Sequence, residues 1–148
     1  MQKTIWIGSD HAGLELKTLI KKEIGSEYKI EDMGPSDTSS VDYPDFAEKV
    51  ARAVAKDAQS EGILICGSGI GMSIAANKIS GIRAALVHSV ETAKLSRLHN
   101  NANILCLGAR TTDHSLAVQM VKTWLSTNFE GDRHQRRVDK ISNLDKKR

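Results

Sequence analysis

A thiol followed directly by a glycine-rich turn is the segment of this sequence best suited to chemistry. Cys66 precedes Gly67-Ser68-Gly69-Ile70-Gly71. Three glycines allow a tight turn in which several backbone N–H groups point at one spot, beside the positive end of a helix. Such a turn can bind an oxyanion or a phosphate, and it can equally be a tight connection without a ligand. The spacing fits neither a dinucleotide fingerprint nor a P-loop.

The sequence contexts of the two cysteines, Cys66 and Cys106, predict different roles for their thiols. A thiolate at the start of a helix is stabilised by the helix end and acts as a base or a nucleophile. The alternative for Cys66 is a small buried hydrophobic residue, the common fate of a free cysteine. Cys106 lies between Leu105 and Leu107 and is predicted to belong to the core.

Histidines beside other polar residues form two further candidates. Asp10-His11 follows the first predicted strand, where Asp10 suits a helix N-cap and His11 suits anion binding. His99-Asn100 lies between a predicted helix and a strand. It suits acid–base work on hydroxyl groups, and it also suits a plain helix end.

The C-terminal segment is strongly basic. Between Arg133 and Arg148 there are seven Lys or Arg residues and two Asp residues, whereas the whole chain has a net charge of +3. Arg133 and Arg137 are four residues apart, so they share one helical face and can clamp a terminal phosphate. The alternatives are a solvated basic face and a nucleic-acid surface, but aromatic side chains for stacking are lacking nearby.

The histidine spacing predicts no metal site. The five histidines show no HxxxH pattern and no Cys/His ligand spacing. We therefore expect an activity that needs neither a metal nor an organic cofactor.

Alternating strands and helices must position these residues. Strands are predicted at 4–8, 28–33, 62–66, 82–87 and 103–107, and helices at 16–24, 44–54, 72–79, 91–99 and 113–127, with a basic helix near the C-terminus. This order predicts an α/β fold, a three-layer, Rossmann-like open parallel sheet of about five strands with helices on both faces. Ligands of such sheets bind beyond the carboxyl ends of the strands, which here carry Asp10, His11, Cys66, His88 and Arg110.

Size and composition predict a soluble, cytoplasmic globular protein. The 148 residues, 40% hydrophobic and 4% aromatic, predict one domain over residues 1–148. No apolar run approaches the ~20 residues that cross a bilayer, and the start of the chain does not resemble a signal peptide. Two cysteines in apolar runs fit a reducing compartment.

Taken together, the motifs resemble the ribose-5-phosphate isomerase B family, which includes allose and galactose 6-phosphate isomerases. The matching segments span nearly the whole chain in order. They are Gly8-Ser9-Asp10-His11-Ala12-Gly13, Asp42-Tyr43-Pro44, Ile65-Cys66-Gly67-Ser68-Gly69-Ile70-Gly71, Ile74-Ala75-Ala76-Asn77-Lys78, Gly81-Ile82-Arg83-Ala84, Leu95-Ser96-Arg97-Leu98-His99-Asn100-Asn101, Gly108-Ala109-Arg110 and Arg133-His134-Gln135-Arg136-Arg137.

The resemblance implies an aldose–ketose isomerisation of ribose 5-phosphate and ribulose 5-phosphate, a reaction of the pentose phosphate pathway, through a cis-enediolate. Cys66 would be the base, and His99 would open the sugar ring. The remaining implied roles are enediolate stabilisation by Ser68 and the N–H groups from Gly67 through Gly69 to Gly71, hydroxyl positioning by Asp10 and Tyr43, sugar binding by Asn100, and phosphate binding by His11, Arg110, Arg133 and Arg137.

The family also guides the choice of base and the assembly. One subgroup uses a glutamate at the position of Met72, which cannot accept a proton, so the resemblance favours Cys66. The family's site is shared across a two-fold dimer, which implies a homodimer or a dimer of dimers, with Tyr43 or the His99 and Arg133 regions from the partner. The expected ligand is a phosphosugar rather than a nucleic acid or a membrane. Allose or galactose 6-phosphate isomerisation and non-catalytic phosphate binding are the alternatives.

Overall fold

Strands and helices alternate along the chain in the computed structural model, which describes residues 2–146. The strands are β1 (Thr4–Ser9), β2 (Lys29–Asp32), β3 (Glu61–Cys66), β4 (Ala84–Leu86) and β5 (Ile104–Gly108). The helices are a 3-10 turn at His11–Gly13, α1 (Leu14–Ile24), α2 (Tyr43–Lys56), α3 (Ile70–Ala76), α4 (Val90–Leu98), α5 (His114–Ser126) and α6 (Arg133–Asp145). The predicted α/β fold is confirmed. Met1 and two residues of the predicted basic cluster, Lys147 and Arg148, lie outside the described residues.

The five strands form one parallel sheet in the order β2-β1-β3-β5-β4. The central strand β3 is buried at all six positions. Helices cover it on both faces, which is why its sequence is continuously apolar instead of alternating. Ile7 of β1 pairs with Ile63 of β3, and Cys66 at the end of β3 pairs with Gly108 of β5.

Each face of the sheet has its own hydrophobic core. Ile63 and Ile65 of β3 pack toward α1, α4 and α5, around the fully buried Trp124. Leu64 and Cys66 point to the other face and pack toward α2 and α3. Burying each large aliphatic side chain contributes roughly 1.5–3 kcal/mol, so both faces stabilise the sheet.

The crossover connections leave a crevice at the carboxyl end of β3. After β3 the chain turns to the face that carries α2 and α3, whereas after β1 and β5 it turns to the opposite face. The connection after β3 and the connections after its neighbours β1 and β5 therefore leave on opposite faces of the sheet. A ligand-sized space opens between them at the carboxyl end of β3. This is the edge at which the sequence predicts the site.

Helix α3 differs from its predicted bounds. It begins at Ile70 rather than Met72 and ends at Ala76 rather than Ile79. The side chain of Asn77 explains the early end, because it accepts a 2.8 Å hydrogen bond from the Ala84 amide and donates a 3.0 Å bond to the Ala84 carbonyl. These bonds tie the chain to the edge strand β4 and take it out of the helix.

The basic helix α6 lies along the amino edge of the sheet. The Glu130 amide, just before it, donates to the Leu98 carbonyl at the end of α4. Near its other end, Asp145 accepts a hydrogen bond from the amide of Gly81, which precedes β4. Both contacts involve segments that lead into the starts of strands. None of the helices within residues 2–146 is long and apolar enough to cross a bilayer.

Candidate active site

A cleft of about 610 Å³ opens at the carboxyl end of β3. Residues from four separate chain segments line it. They are Asp10, Tyr43, Cys66, Gly67, Ser68, Ile70, Gly71, Ile74, Arg110 and Thr111. The structure thus brings together the glycine turn, the thiol and three of the other predicted site residues.

The thiol of Cys66 lies at the floor of this cleft. Its side chain is 5% exposed, and Sγ accepts a 3.2 Å hydrogen bond from the amide of Gly69. This backbone N–H comes from the residue before the first residue of α3, so the hydrogen bond holds the sulfur at the start of that helix. The arrangement supplies a sulfur that can accept a proton from a ligand in the cleft.

The left-handed backbone of Gly69 makes this hydrogen bond possible. Gly69 has φ +79° and precedes the first residue of α3. A Cβ at Gly69 would lie 2.6 Å from Leu86 Cδ1 and 2.9 Å from the carbonyl carbon of Leu107. Conformation and space therefore both demand glycine here.

The turn is held rigidly against the segment after β5. The amides of Ala109 and Arg110 donate 2.9 Å hydrogen bonds to the carbonyls of Cys66 and Gly67. Within the turn, the Ser68 hydroxyl accepts a 3.2 Å bond from the Ile70 amide. These bonds fix the loop and bring the Arg110 side chain over Gly67, 3.6 Å from where a Cβ would be.

Tyr43 approaches the cleft from the start of α2. A Cβ at Gly71 would overlap the Tyr43 ring, so the missing side chain at Gly71 makes room for the phenol. Tyr43 is exposed, as are Ile70 and Ile74 on α3, at 52% and 58%. Tyr43 therefore belongs to the same chain's cleft, and an apolar surface surrounds the opening.

Asp10 both caps a helix and lines the cleft. Its Oδ1 accepts a 3.0 Å hydrogen bond from the Gly13 amide, which is the cap that the sequence predicts. Its own amide donates to the Ile65 carbonyl, one residue before the thiol. The carboxylate is buried to 8% exposure and held beside β3.

His11 lies beside the cleft rather than in its lining. Its Nδ1 accepts a 3.2 Å hydrogen bond from the Val41 amide, which leaves Nε2 as the nitrogen that carries a proton. His11 lines a neighbouring cavity of about 630 Å³ together with Thr38 and His114. An Nε2–H donor at this position suits an anion.

His99 lies in a second cluster. Its ring stacks on that of His134, with 4.3 Å between centroids and 15° between planes. His134 Nε2 lies 3.9 Å from Glu130 Oε1. Burial, the neighbouring His99 and Arg133 lower the pKa of His134, so this imidazole is held neutral.

The two groups lie at opposite edges of the sheet. Helix α4 runs against the strand direction, so His99 and Asn100 at its end lie at the amino edge, as do the exposed Arg133 and Arg137 of α6. Cys66 lies at the carboxyl edge, and β3 alone spans roughly 17–20 Å at ~3.3 Å per residue. One chain therefore brings together Asp10, Tyr43, the glycine turn and Arg110 with Cys66, but not the His99 and Arg133 group.

Some residues of both clusters escaped the sequence analysis. Glu130 and His134 are four residues apart, but Glu130 precedes α6, so no helical periodicity marks the pair. Thr111 likewise gave no signal beyond its place after β5. The prediction for Cys106 is confirmed, because this side chain is fully buried and its burial raises the pKa of the thiol.

Comparison with known proteins gives one consistent family. The family model described as Ribose/Galactose Isomerase matches residues 5–141. A Listeria innocua protein named ribose-5-P isomerase B is 45% identical, and the match covers 97% of each chain.

Two solved structures superpose closely. Ribose-5-phosphate isomerase B from Clostridium thermocellum has a TM-score of 0.95 and 49% identity, over 97% of this chain and 98% of the other. The Mycoplasma genitalium ribose-5-phosphate isomerase B, solved with bound ribulose-5-phosphate, has a TM-score of 0.96 and 46% identity, over 100% of this chain and 99% of that one.

Proposed function

The chain belongs to the ribose/galactose isomerase family, and on that basis we propose that it interconverts ribose 5-phosphate and ribulose 5-phosphate. The observation that carries this proposal is the hydrogen-bonded thiol of Cys66 in a cleft lined by a glycine turn. The bound ribulose-5-phosphate of the Mycoplasma genitalium relative supports the choice of a phosphosugar.

Cys66 is the proposed base. As a thiolate it removes the proton from C2 of the open-chain aldose, and the electron pair forms the C1–C2 double bond while the C1 carbonyl oxygen takes the negative charge. The resulting cis-enediolate passes its C2–OH proton toward the C1 oxygen, and the Cys66 thiol returns its proton to C1. The product is the ketose and the thiolate is regenerated, so no external reductant or oxidant is needed.

The glycine turn is suited to hold the enediolate. First-turn N–H groups of a helix have no intrahelical acceptor, and the amide of Gly71 is one of them. The Ser68 hydroxyl accepts from the Ile70 amide and retains its own proton to donate. Preorganised donors of this kind stabilise developing charge more than they stabilise the neutral sugar.

Other candidates for the base are weaker. Met72, at the position where one subgroup of the family has a glutamate, is fully buried in the core between α2 and α3. Asp10 Oδ1 already accepts a hydrogen bond from the Gly13 amide, so this carboxylate is better suited to hold a sugar hydroxyl than to act as the base. Tyr43 is placed at the rim, where its phenol can position a hydroxyl in the same way.

We further propose that a second copy of the chain completes the site. His99 for ring opening, Asn100 for sugar oxygens, and Arg133 and Arg137 for the phosphate lie at the edge opposite to Cys66, so they can serve its cleft only from a partner. The phosphate would then be held by His11 and Arg110 of one chain and the two arginines of the other. The energy of phosphate binding orients the reacting carbons against the thiolate.

The surface around the cleft supports such a partner. Tyr43, Ile70 and Ile74 expose large apolar side chains beside the opening. Burying this surface against a second chain removes it from water and shields the enediolate from solvent. A homodimer, alone or paired into a tetramer, is the proposed assembly, and the cytoplasm with its pentose phosphate pathway is the proposed setting.

The direct test is a coupled assay that compares ribose 5-phosphate with allose and galactose 6-phosphates. We expect kcat/KM to be highest for the pentose phosphate. A preference for a six-carbon substrate would assign the chain to the hexose branch of the family. Phosphosugar binding without turnover of any of the three would contradict an isomerase.

A further inference from the structure

The cluster of His99, Glu130 and His134 has the donor set of a transition-metal site. Two imidazoles and one carboxylate offer ligand atoms that all lie within 4.8 Å of one another. The spacing of histidines along the sequence does not reveal this set, because His99 is brought to the other two by tertiary contacts between the end of α4 and the start of α6.

The buried nitrogen of His134 gives independent evidence for a ligand. His134 is only 5% exposed, and its Nε2 is buried without a hydrogen-bond partner among the described residues. A buried polar atom without a partner destabilises the folded chain. The nitrogen lies 3.9 Å from Glu130 Oε1, and a cation bound by both atoms would satisfy it.

The stacked rings must open for both imidazoles to bind one ion, because a metal lies close to the plane of each imidazole that binds it and the rings of His99 and His134 are nearly parallel. Zinc takes ligands at ~2.0–2.2 Å in a tetrahedron, which sets donor separations of roughly 3.3–3.6 Å. The widest separation here must therefore close by about 1.5 Å at most. Glu130 is exposed and His99 half-buried, so rotation of these two side chains can achieve it, and a water completes the fourth position.

The chemistry of the ligands indicates which metals they would bind. Imidazole nitrogens select zinc, cobalt, nickel or copper over magnesium and calcium.

We propose that His99, Glu130 and His134 form an inhibitory site for Zn²⁺ or a similar divalent transition metal. Metal bound there occupies the imidazole nitrogen of His99. The inhibition, unlike the binding, rests on the proposed function, in which this nitrogen moves a proton to or from the ring oxygen.

Metal binding is measured first, without reference to activity. Isothermal titration with Zn²⁺ of the chelator-treated full-length protein should give one site per chain, and Mg²⁺ should give none. Removing a residue that only hydrogen-bonds to a metal ligand already lowers the affinity for the metal about 10–100-fold. We therefore expect Glu130→Gln and His134→Asn each to weaken Zn²⁺ binding at least 10-fold.

Two controls locate the site. His88→Asn removes an exposed histidine outside the cluster and should leave Zn²⁺ affinity unchanged. Cys66→Ala removes the thiol of the cleft, a competing zinc ligand, and should also leave the site intact. Zinc binding that survives in Glu130→Gln and His134→Asn, or that disappears in Cys66→Ala, would overturn the proposed site.

Inhibition is measured second. Zn²⁺ should inhibit turnover of the ring-closed substrate, a chelator should restore it, and Glu130→Gln should require at least about 10-fold more Zn²⁺ for half-inhibition. Zinc that binds at the cluster without slowing turnover would overturn the inhibitory role. If the isomerase assay itself failed, the titration would still decide independently whether the metal site exists.

Discussion

The amide of Gly69 donates a 3.2 Å hydrogen bond to the sulfur of Cys66. This contact distinguishes Cys66 from Cys106, which faces the same side of the sheet from the neighbouring strand β5. Cys106 is fully buried, and desolvation, with a smaller effect of nearby Cys66, raises the pKa of its thiol. The fold thus provides one sulfur suited to proton transfer and one suited only to packing.

The two cysteines form a matched pair of mutants. Cys66→Ala should lower kcat for ribose 5-phosphate by about 10²–10⁴-fold, the range for removal of a general base, while retaining phosphosugar binding. Cys106→Ala should retain kcat and lose about 1 kcal/mol of unfolding free energy. Steady-state kinetics and urea unfolding measure both effects. Substantial turnover in Cys66→Ala would remove this residue as the base.

The left-handed turn at Gly69 predicts a large effect of one methyl group. Gly69→Ala adds steric overlap with Leu86 and Leu107 to a backbone cost of about 1–2 kcal/mol. Overlap in a packed interior costs roughly a further 1–3 kcal/mol. We expect a clearly lower urea midpoint and loss of turnover.

Gly81 is the control for that prediction. It also has a positive φ, +88°, but among the described residues nothing lies within 4 Å of a Cβ placed there. Gly81→Ala should show only the backbone cost of about 1–2 kcal/mol. Both variants should be unfolded at one protein concentration, because association adds to apparent stability. Equal losses in the two variants would contradict the steric part of the argument.

Gly71 and Tyr43 should be energetically coupled. Gly71→Ala pushes the Tyr43 ring out of its position at the cleft and should raise KM. In the Tyr43→Ala background the same methyl group meets no ring, so its effect should be much smaller. A double-mutant cycle on kcat/KM measures the coupling, expected at about 0.5–3 kcal/mol for residues in contact. Additive effects would show that the two residues do not meet in the active enzyme.

The proposed role of His99 in ring opening predicts a substrate-dependent defect. His99→Asn should reduce kcat for a cyclic pentose phosphate by about 10²–10⁴-fold, because the acid–base group is lost. The defect should be much smaller for a sugar phosphate that cannot close a ring. His88→Asn, at an exposed position outside both clusters, serves as the control. Equal defects of His99→Asn on both substrates would argue against the assigned role.

The proposed sharing of each site between two chains predicts complementation between two impaired variants. Cys66→Ala lacks the base, whereas Arg133→Gln weakens the phosphate clamp. Refolded together in equal amounts, half of the dimers are mixed and carry one intact site, so roughly a quarter of the sites should recover. Arg136→Gln, on the same exposed segment of α6, should behave like the wild type. No recovery on mixing would mean that each chain works alone.

Local patterns in the sequence were sufficient for the fold and for half of the site. Continuous apolar runs predict buried parallel strands, and the alternation with amphipathic helices predicts crossovers with strand ends at one edge. That reasoning correctly brings Asp10, Cys66 and Arg110 to one cleft. Helix bounds were less accurate at α3, because the hydrogen bonds of Asn77 to β4 are tertiary contacts.

Only the tertiary structure decided which site residues lie close together and which lie at opposite edges of the sheet. The pairing of His99 with His134 depends on contacts between the end of α4 and the start of α6, elements separated by an entire strand and helix, and no spacing rule encodes it. The same packing puts His99 and the two arginines at the edge opposite to Cys66. Local periodicity in the sequence determines whether each segment forms a strand or a helix. The distances between these elements follow from the simultaneous burial of all their apolar faces, which is a property of the whole fold.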